Sequence, residues 1–271
     1  MNNSKKYDLL TIGRSSIDLY SANVGSPFTE IKSFNAFVGG CPTNIAVGAT
    51  RLGLHCAILT GVGNDQVGAF IKNFLQKENV ITDFIPTIAG TRSSAVILGI
   101  EPPDKFPLVY YRDNCADIHL DIDHVNAIPF NDFKASIFSG TALSKEPSRT
   151  AMLYALESAT KNGVTKLLDL DFRADQWNDP RAFGIVIRTL LPQFNIVIGT
   201  EEEILAANLT DSSQVSIKHQ QISAPEIKGN IDKAIQNIID TGIDTLIVKR
   251  GKDGASIFEK GKVKCLKKTK R

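Results

Sequence analysis

The chain has 271 residues, 42% of them hydrophobic and 22% charged, with 31 Lys and Arg against 29 Asp and Glu for a formal net charge of +2. That length bounds it to one large domain or two modest ones with ample core. The near balance of charge excludes a global field aimed at nucleic acid or a membrane surface, and no run approaches the ~18 apolar residues of a membrane span.

The N-terminal MNNSKKYDLL lacks the apolar stretch of a secretory signal. The cysteines, Cys41, Cys56, Cys115 and Cys265, form no CxxC pair. Both features point to a reduced, cytoplasmic protein. The first apolar run, YDLLTIG (7–13), reads as a buried strand. Residues 17–38 carry β-formers with no helix after them. VGGCPTNIAVGATRLG (38–53) then predicts a helix over 42–52, with Pro42 at its first position and Gly53 just past its end. Ile45, Ala46, Ala49 and Leu52 form its apolar stripe. At the mouth of that helix, Gly39 and Gly40 allow a ligand to approach the main chain. Asn44 offers hydroxyls both a donor and an acceptor. The alternative is a tight turn leading into a close-packed helix.

Next comes the strand HCAILTGVG (55–63), running into GVGNDQVG (61–68) and a helix over 66–77. This turn is neither a Walker loop nor GxGxxG, and Asp65 reads as a helix N-cap. Residues 92–114, with SSAVILGI and FPLVYYR, again carry β-formers without a helix. Together with 17–38 they are expected to form a small sheet outside the main one. His119, Asp121, Asp123 and His124 fit no usual zinc spacing and read as a solvated loop. Strands at ASIFSG (135–140), KLLDLDF (166–172), NIVIG (195–199) and TLIVKRG (245–251) alternate with helices at 147–162, 181–191 and 230–239. Residues 210–229 read as a polar surface loop. Apolar strands alternating with helices argue a parallel α/β sheet covered on both faces. No GxSxG elbow occurs.

Two arginines bear on the ligand. Arg112 ends a β-run, and Arg173 follows the strand KLLDLD, where open α/β sheets place their ligands. A guanidinium grips a carboxylate with two parallel hydrogen bonds, so the pair favours an acidic ligand. The alternative for each is an ion pair with the nearby Asp113 or Asp175.

In this order and spacing, Asp18, GGCPTN, RLG and GVGNDQVG resemble the N-terminal half of the PfkB, or ribokinase-like, carbohydrate kinases. YYRDNCAD (110–117), SGTALSKEPSR (139–149), DLDFRADQW (169–177) and GTEEE (199–203) are similar to the branch acting on 5-dehydro-2-deoxygluconate in myo-inositol breakdown. The resemblance covers nearly the whole chain. It implies one ribokinase-like domain over 1–271: a Rossmann-type parallel sheet covered by helices, with a β-sheet lid built from about 17–38 and 92–114. It implies that Asp18, Gly39, Gly40 and Asn44 face sugar hydroxyls, and that Tyr111, Arg112 and Arg173 hold a sugar acid's carboxylate. ATP and Mg2+ are the implied cofactors. Glu203 would act on magnesium indirectly, within a Thr200–Glu203 stretch where Thr replaces the family's Asn. Lys249, Gly251 and Gly254 would lie beside the nucleotide. The implied partners are a small-molecule sugar acid and a second copy of the chain through the lid, with no nucleic acid and no membrane.

The family's Asp-x-x-Gly-Ala-Gly-Asp stretch, which the resemblance makes the source of the catalytic base and a glycine-rich anion hole, does not occur in the 271 residues. The nearest string is DGAS (253–256), and the sequence runs on to KGKVKCLKKTKR. The expectation is a C-terminally incomplete kinase, inactive as this chain. The alternatives are a kinase of another sugar acid, such as 2-dehydro-3-deoxygluconate, or a non-catalytic remnant that binds sugar.

Overall fold

The computed structural model describes residues 5–103, 105–216, 225–259 and 262–266. Strands β1 (Tyr7–Ile12), β2 (Ser16–Ser21) and β3 (Phe34–Gly39) precede helix α1 (Cys41–Arg51). β4 (Cys56–Leu59) and β5 (Val62–Gly63) lead into α2 (Gln66–Lys77). After β6 (Thr87–Ile88), β7 (Ser94–Leu98) and β8 (Leu108–Tyr111) come α3 (Ile122–Asn126), β9 (Phe133–Ser139), α4 (Ser148–Lys161), β10 (Thr165–Asp169) and α5 (Pro180–Leu190). Then follow β11 (Ile196–Thr200), α6 (Glu201–Ala207), β12 (Val215–Ser216), β13 (Glu226–Ile227), α7 (Ile231–Ile239), β14 (Thr245–Lys249), β15 (Ala255–Glu259) and β16 (Lys262–Leu266).

Eight strands form the central sheet in the order β16-β15-β14-β11-β10-β9-β1-β4. From β4 to β14 every neighbour pair is parallel, and β15 and β16 add antiparallel. Such strands are buried on both faces, which is why they read as apolar runs and not as alternating ones. Leu10, Leu168, Val197 and Leu246 are fully buried in one large core cluster. A second cluster packs α1 and α2 through Ala46, Ile58, Ile71 and Leu75.

The two segments that break the strand–helix rhythm meet in a separate four-stranded sheet of order β3-β2-β7-β8. In it Asp18 stands opposite Phe37 on one side and Val96 on the other.

Several local expectations shift. α1 starts at Cys41, with Gly40 as N-cap, so Pro42 is one place further in. Its buried face is Pro42, Thr43, Ala46 and Val47, whereas Leu52 is 85% exposed. The stripe is rotated because small residues let this face lie against the sheet. The stretch 210–229 contains the short antiparallel pair β12–β13, and 217–224 lie outside the described residues. The basic segment 260–271, with Cys265, lies outside them too, apart from the β16 backbone. Asp65 caps α2, accepting from the Gly68 amide at 2.7 Å, and also takes the Ser93 amide and hydroxyl at 2.8 Å. GVGNDQVG thus clamps α2 to the start of β7. Asp121 and His124 close a capping box on α3. No helix among the described residues is long and apolar enough to cross a membrane.

Candidate active site

From β1 the chain crosses through the small sheet to β4 on one side, and later places β9 on the other. That reversal is a topological switch point, where open α/β sheets form a crevice beyond the carboxyl ends of their strands. A cavity of about 530 Å3 lies there, between the strand ends and the small sheet. Asp18, Gly40, Asn44, Arg173, Glu203 and Lys249 all line it, together with Arg14, Tyr20, Cys41, Tyr110, Asp169 and Asp171.

The hydroxyl-facing side is built by close backbone approach. A Cβ on Gly39 would run into the Asp18 carboxylate, and one on Gly40 into the Arg14 carbonyl. Gly40 has φ +107°, which an L side chain rarely adopts. The pair therefore has to be glycine for Asp18 to reach the mouth of α1. Asp18 accepts from Ser16 Oγ at 2.6 Å, and Ser16 Oγ accepts from Arg14 Nη1, also at 2.6 Å. Burial pushes the Asp18 carboxyl up, while Ser16 and Arg14 pull it back in part. Asn44 is exposed to the cavity, and its side chain makes no hydrogen bond among the described residues.

The opposite side is a charge network at the ends of β10, β11 and β14. Asp171 accepts from Ser139 Oγ and Thr141 Oγ1 at 2.7 Å and pairs with Arg173 at 2.8 Å. Burial acts to raise its carboxyl, but Arg173, Thr141 and Ser139 hold it below the ordinary value. Its φ of +39° is a sparsely populated conformation that these bonds sustain. Arg173 also donates to Phe172 O at 2.7 Å and Tyr110 Oη at 3.1 Å, and faces Glu203 at 3.5 Å. Lys249 Nζ lies 3.5 Å from Asp169 and 3.7 Å from Glu203. Burial raises both of those carboxyls, with Lys249 opposing. Cys41 sits beside the network; burial and the Asp171 and Asp169 charges push its thiol well up, so it is not a thiolate nucleophile.

Two residues read as carboxylate ligands are elsewhere. Arg112 does not line the cavity. It is 2% exposed and donates to Asp117 at 2.7 Å, to Ser144 and Gln176 at 3.2 Å, and to the Thr141 carbonyl at 3.4 Å. Its partner is Asp117, not the adjacent Asp113. Tyr111 is 57% exposed and points away, because neighbouring strand residues face opposite sides; Tyr110 takes the cavity face instead. Arg14, Tyr110, Asp169 and Asp171 are cavity residues that the sequence reading did not single out. DLDFR carried a signal for the last two, since alternate residues after a buried strand share a face.

Glu203 closes a capping box with Thr200, accepting the Thr200 amide at 2.8 Å while Thr200 Oγ1 accepts the Glu203 amide at 3.2 Å. With Arg173 and Lys249 also facing it, this carboxylate does not fit a directly bound magnesium ion. Gly251 and Gly254, at φ +54° and +91°, shape the turn after β14 and do not line the cavity.

The family model of the pfkB family carbohydrate kinases matches residues 6–270. The chain belongs to this family. Its members are carbohydrate kinases, phosphotransferases that use ATP. Over 260 residues the chain is 28% identical to a 5-dehydro-2-deoxygluconokinase of Listeria innocua, covering 96% of this chain and 75% of that one. Over 201 residues it is 36% identical to a protein of the same name from Bacillus anthracis, covering 74% and 60% respectively. Among solved structures, a fructokinase of Halothermothrix orenii aligns with TM-score 0.77 at 20% identity, covering 96% of this chain and 85% of that one. A protein described as a ribokinase II from E. coli, in complex with ATP and magnesium, aligns with TM-score 0.80 at 20% identity, covering 98% and 79%. At that identity these two structures speak for the ribokinase-like fold, which the sheet order and the helices on both faces also display.

Proposed function

We propose that this chain is a sugar-acid kinase whose acceptor is 5-dehydro-2-deoxy-D-gluconate and whose reaction passes the γ-phosphoryl group of ATP to the terminal hydroxyl. The observation that carries this reading is the convergence of Asp18, Gly40 and Asn44 with cationic Arg173 in one polar cavity. Asp18 and Asn44 suit hydroxyls and a guanidinium suits a carboxylate, and the named relatives point to the same acid. Phosphoryl transfer further asks for a base on the attacking hydroxyl and for donors that hold the developing charge. The stretch that the family resemblance makes responsible for both does not occur in residues 1–271. Losing one oxyanion-type donor costs about 10²–10³ in rate and losing the base about 10²–10⁴, so at least about four orders of magnitude are absent if the two add. Residues 1–271 alone therefore bind the sugar acid without turning it over. Glu203 would act on a bound magnesium ion only indirectly, since its carboxylate is already engaged by Thr200, Arg173 and Lys249.

Calorimetry on the purified 271-residue polypeptide, joined to a coupled assay with ATP and magnesium, tests both halves. The expected result is binding of 5-dehydro-2-deoxygluconate in preference to fructose, with no turnover above background. Equal affinity for the two ligands sinks the acid assignment. Turnover near the ~10 s⁻¹ typical of enzymes shows that a base and a donor set exist within these residues. Tighter binding of 2-dehydro-3-deoxygluconate reassigns the acid.

A further inference from the structure

The cations around the cavity differ in how far their charge is already answered. Arg173 is engaged by Asp171 and Glu203, and Lys249 by Asp169 and Glu203. Arg112, outside the cavity, is engaged by Asp117. Arg14 has no carboxylate within 4.0 Å among the described residues, although it is only 7% exposed. Its one hydrogen bond there runs from Nη1 to Ser16 Oγ, a neutral hydroxyl, and its guanidinium carbon lies 5.0 Å from the centre of the Tyr110 ring. None of its nitrogens is sealed away without a partner, so its remaining donors open onto the cavity that it lines.

The backbone holds it there. A Cβ on Gly13 would come within 2.8 Å of Pro42 and 2.9 Å of Ser139, so the turn between β1 and β2 is pressed against α1 and the end of β9. Ser15 is pinned on both sides, by its amide to Thr60 Oγ1 at 3.1 Å and by its hydroxyl to Thr43 at 2.5 Å. The guanidinium is thus fixed over an aromatic platform, with a planar fork of donors and no directly paired carboxylate, the Asp18 and Asp171 charges acting on it only from further off. A buried guanidinium whose fork is not directly paired is under-satisfied, and a ligand carboxylate would fill that fork with two parallel bonds.

We propose that Arg14 is the principal seat of the substrate's carboxylate and the residue that makes the site prefer acids to neutral sugars, an inference that rests on the sugar-acid reading above. Tyr110 forms the shared wall, stacked by Arg14 and hydrogen-bonded by Arg173. Arg173, already paired with Asp171 and Glu203, is the secondary contact to the same carboxylate.

The test is calorimetry of 5-dehydro-2-deoxygluconate and fructose on the 271-residue chain and on Arg14→Met and Arg14→Lys, with circular dichroism as a check of folding. Arg14→Met should lose about tenfold to a hundredfold in acid affinity, the range of a charge-assisted hydrogen bond, and change fructose affinity less than about threefold. Arg14→Lys keeps the charge but not the fork and should lie between. It decides the matter if Arg14→Met does not fold. A parent chain that prefers the acid, with variants that keep that preference within threefold, overturns the assignment of Arg14 and leaves the sugar-acid reading standing. A parent that binds both ligands equally overturns both.

Discussion

Arg112 and Arg173 carry the same group, and each follows a strand end, yet one braces the interior and the other lines the cavity. The difference lies in their partners. Arg112 meets Asp117, whose side chain is 1% exposed and whose Oδ1 already lacks a hydrogen bond among the described residues. Removing the guanidinium strands a buried carboxylate. Arg112→Ala should therefore lose about 3–5 kcal/mol of stability, read as a lower urea midpoint, while the folded fraction binds sugar acid with unchanged affinity. Lost affinity at unchanged stability would return Arg112 to the ligand. Sequence could not separate these outcomes, because the deciding contact joins residues whose spatial relation depends on the turn after β8. The cavity positions of Gly40, Asn44 and Arg173 were legible, since each stands at a helix mouth or past a strand end where backbone geometry limits the choice, whereas Asp18, inside β2, was reached only through the family resemblance. Arg14 was not legible: one residue past a glycine, in a short turn, it belongs to no periodic pattern. Tyr110 was hidden by its neighbour, because YY gives no sign of which face is wet.

The buried parallel strands announced themselves as apolar runs, and the helices over 66–77 and 230–239 as amphipathic stretches. Helix α6 did not, because seven residues span only about two turns and three consecutive glutamates mask its apolar face. What defines it is its start. Thr200 occupies the N-cap, and its hydroxyl satisfies an amide that would otherwise be orphaned. Thr200→Ala should therefore cost about 1 kcal/mol, whereas Thr200→Asn should stay within a few tenths, since Asn caps at least as well as Thr. Equilibrium urea unfolding of the two variants measures this. A neutral Thr200→Ala would mean that the capping box does not hold Glu203 in place. The β15–β16 hairpin also escaped the sequence reading. It leaves the parallel sheet by an antiparallel turn, so the strand–helix rhythm gives no cue for it.

At the scale of the whole molecule, the cavity joins two sheets and gathers carboxylates whose buried charge opposes folding. Asp18, Asp169 and Glu203 all stand above their ordinary values of 3.8, 3.8 and 4.5, with burial as the leading cause. The folded state therefore takes up protons before the unfolded state does. Their contribution to stability is fully present below the unfolded values and is lost as pH rises through the folded ones. Asp171 has the opposite sign. Its carboxyl is held down, so what it contributes is present above 3.8 and is lost only as pH falls through its lower folded value. Asp8 and Asp65, also held down, behave like Asp171. The two groups leave a window between neutrality and about pH 4 in which protonation at the cavity favours the fold. Lowering pH from neutrality toward the ordinary carboxylate values should raise the urea midpoint, with acid unfolding setting in below. Asp18→Asn removes one of the buried charges, so it should raise stability at pH 7, flatten the rise as pH falls toward the ordinary carboxylate values, and weaken sugar binding at the same time. A parent chain that loses stability steadily from neutrality downward, or an Asp18→Asn variant less stable than the parent at pH 7, would mean that the Ser16 and Arg14 contacts more than offset the burial of Asp18.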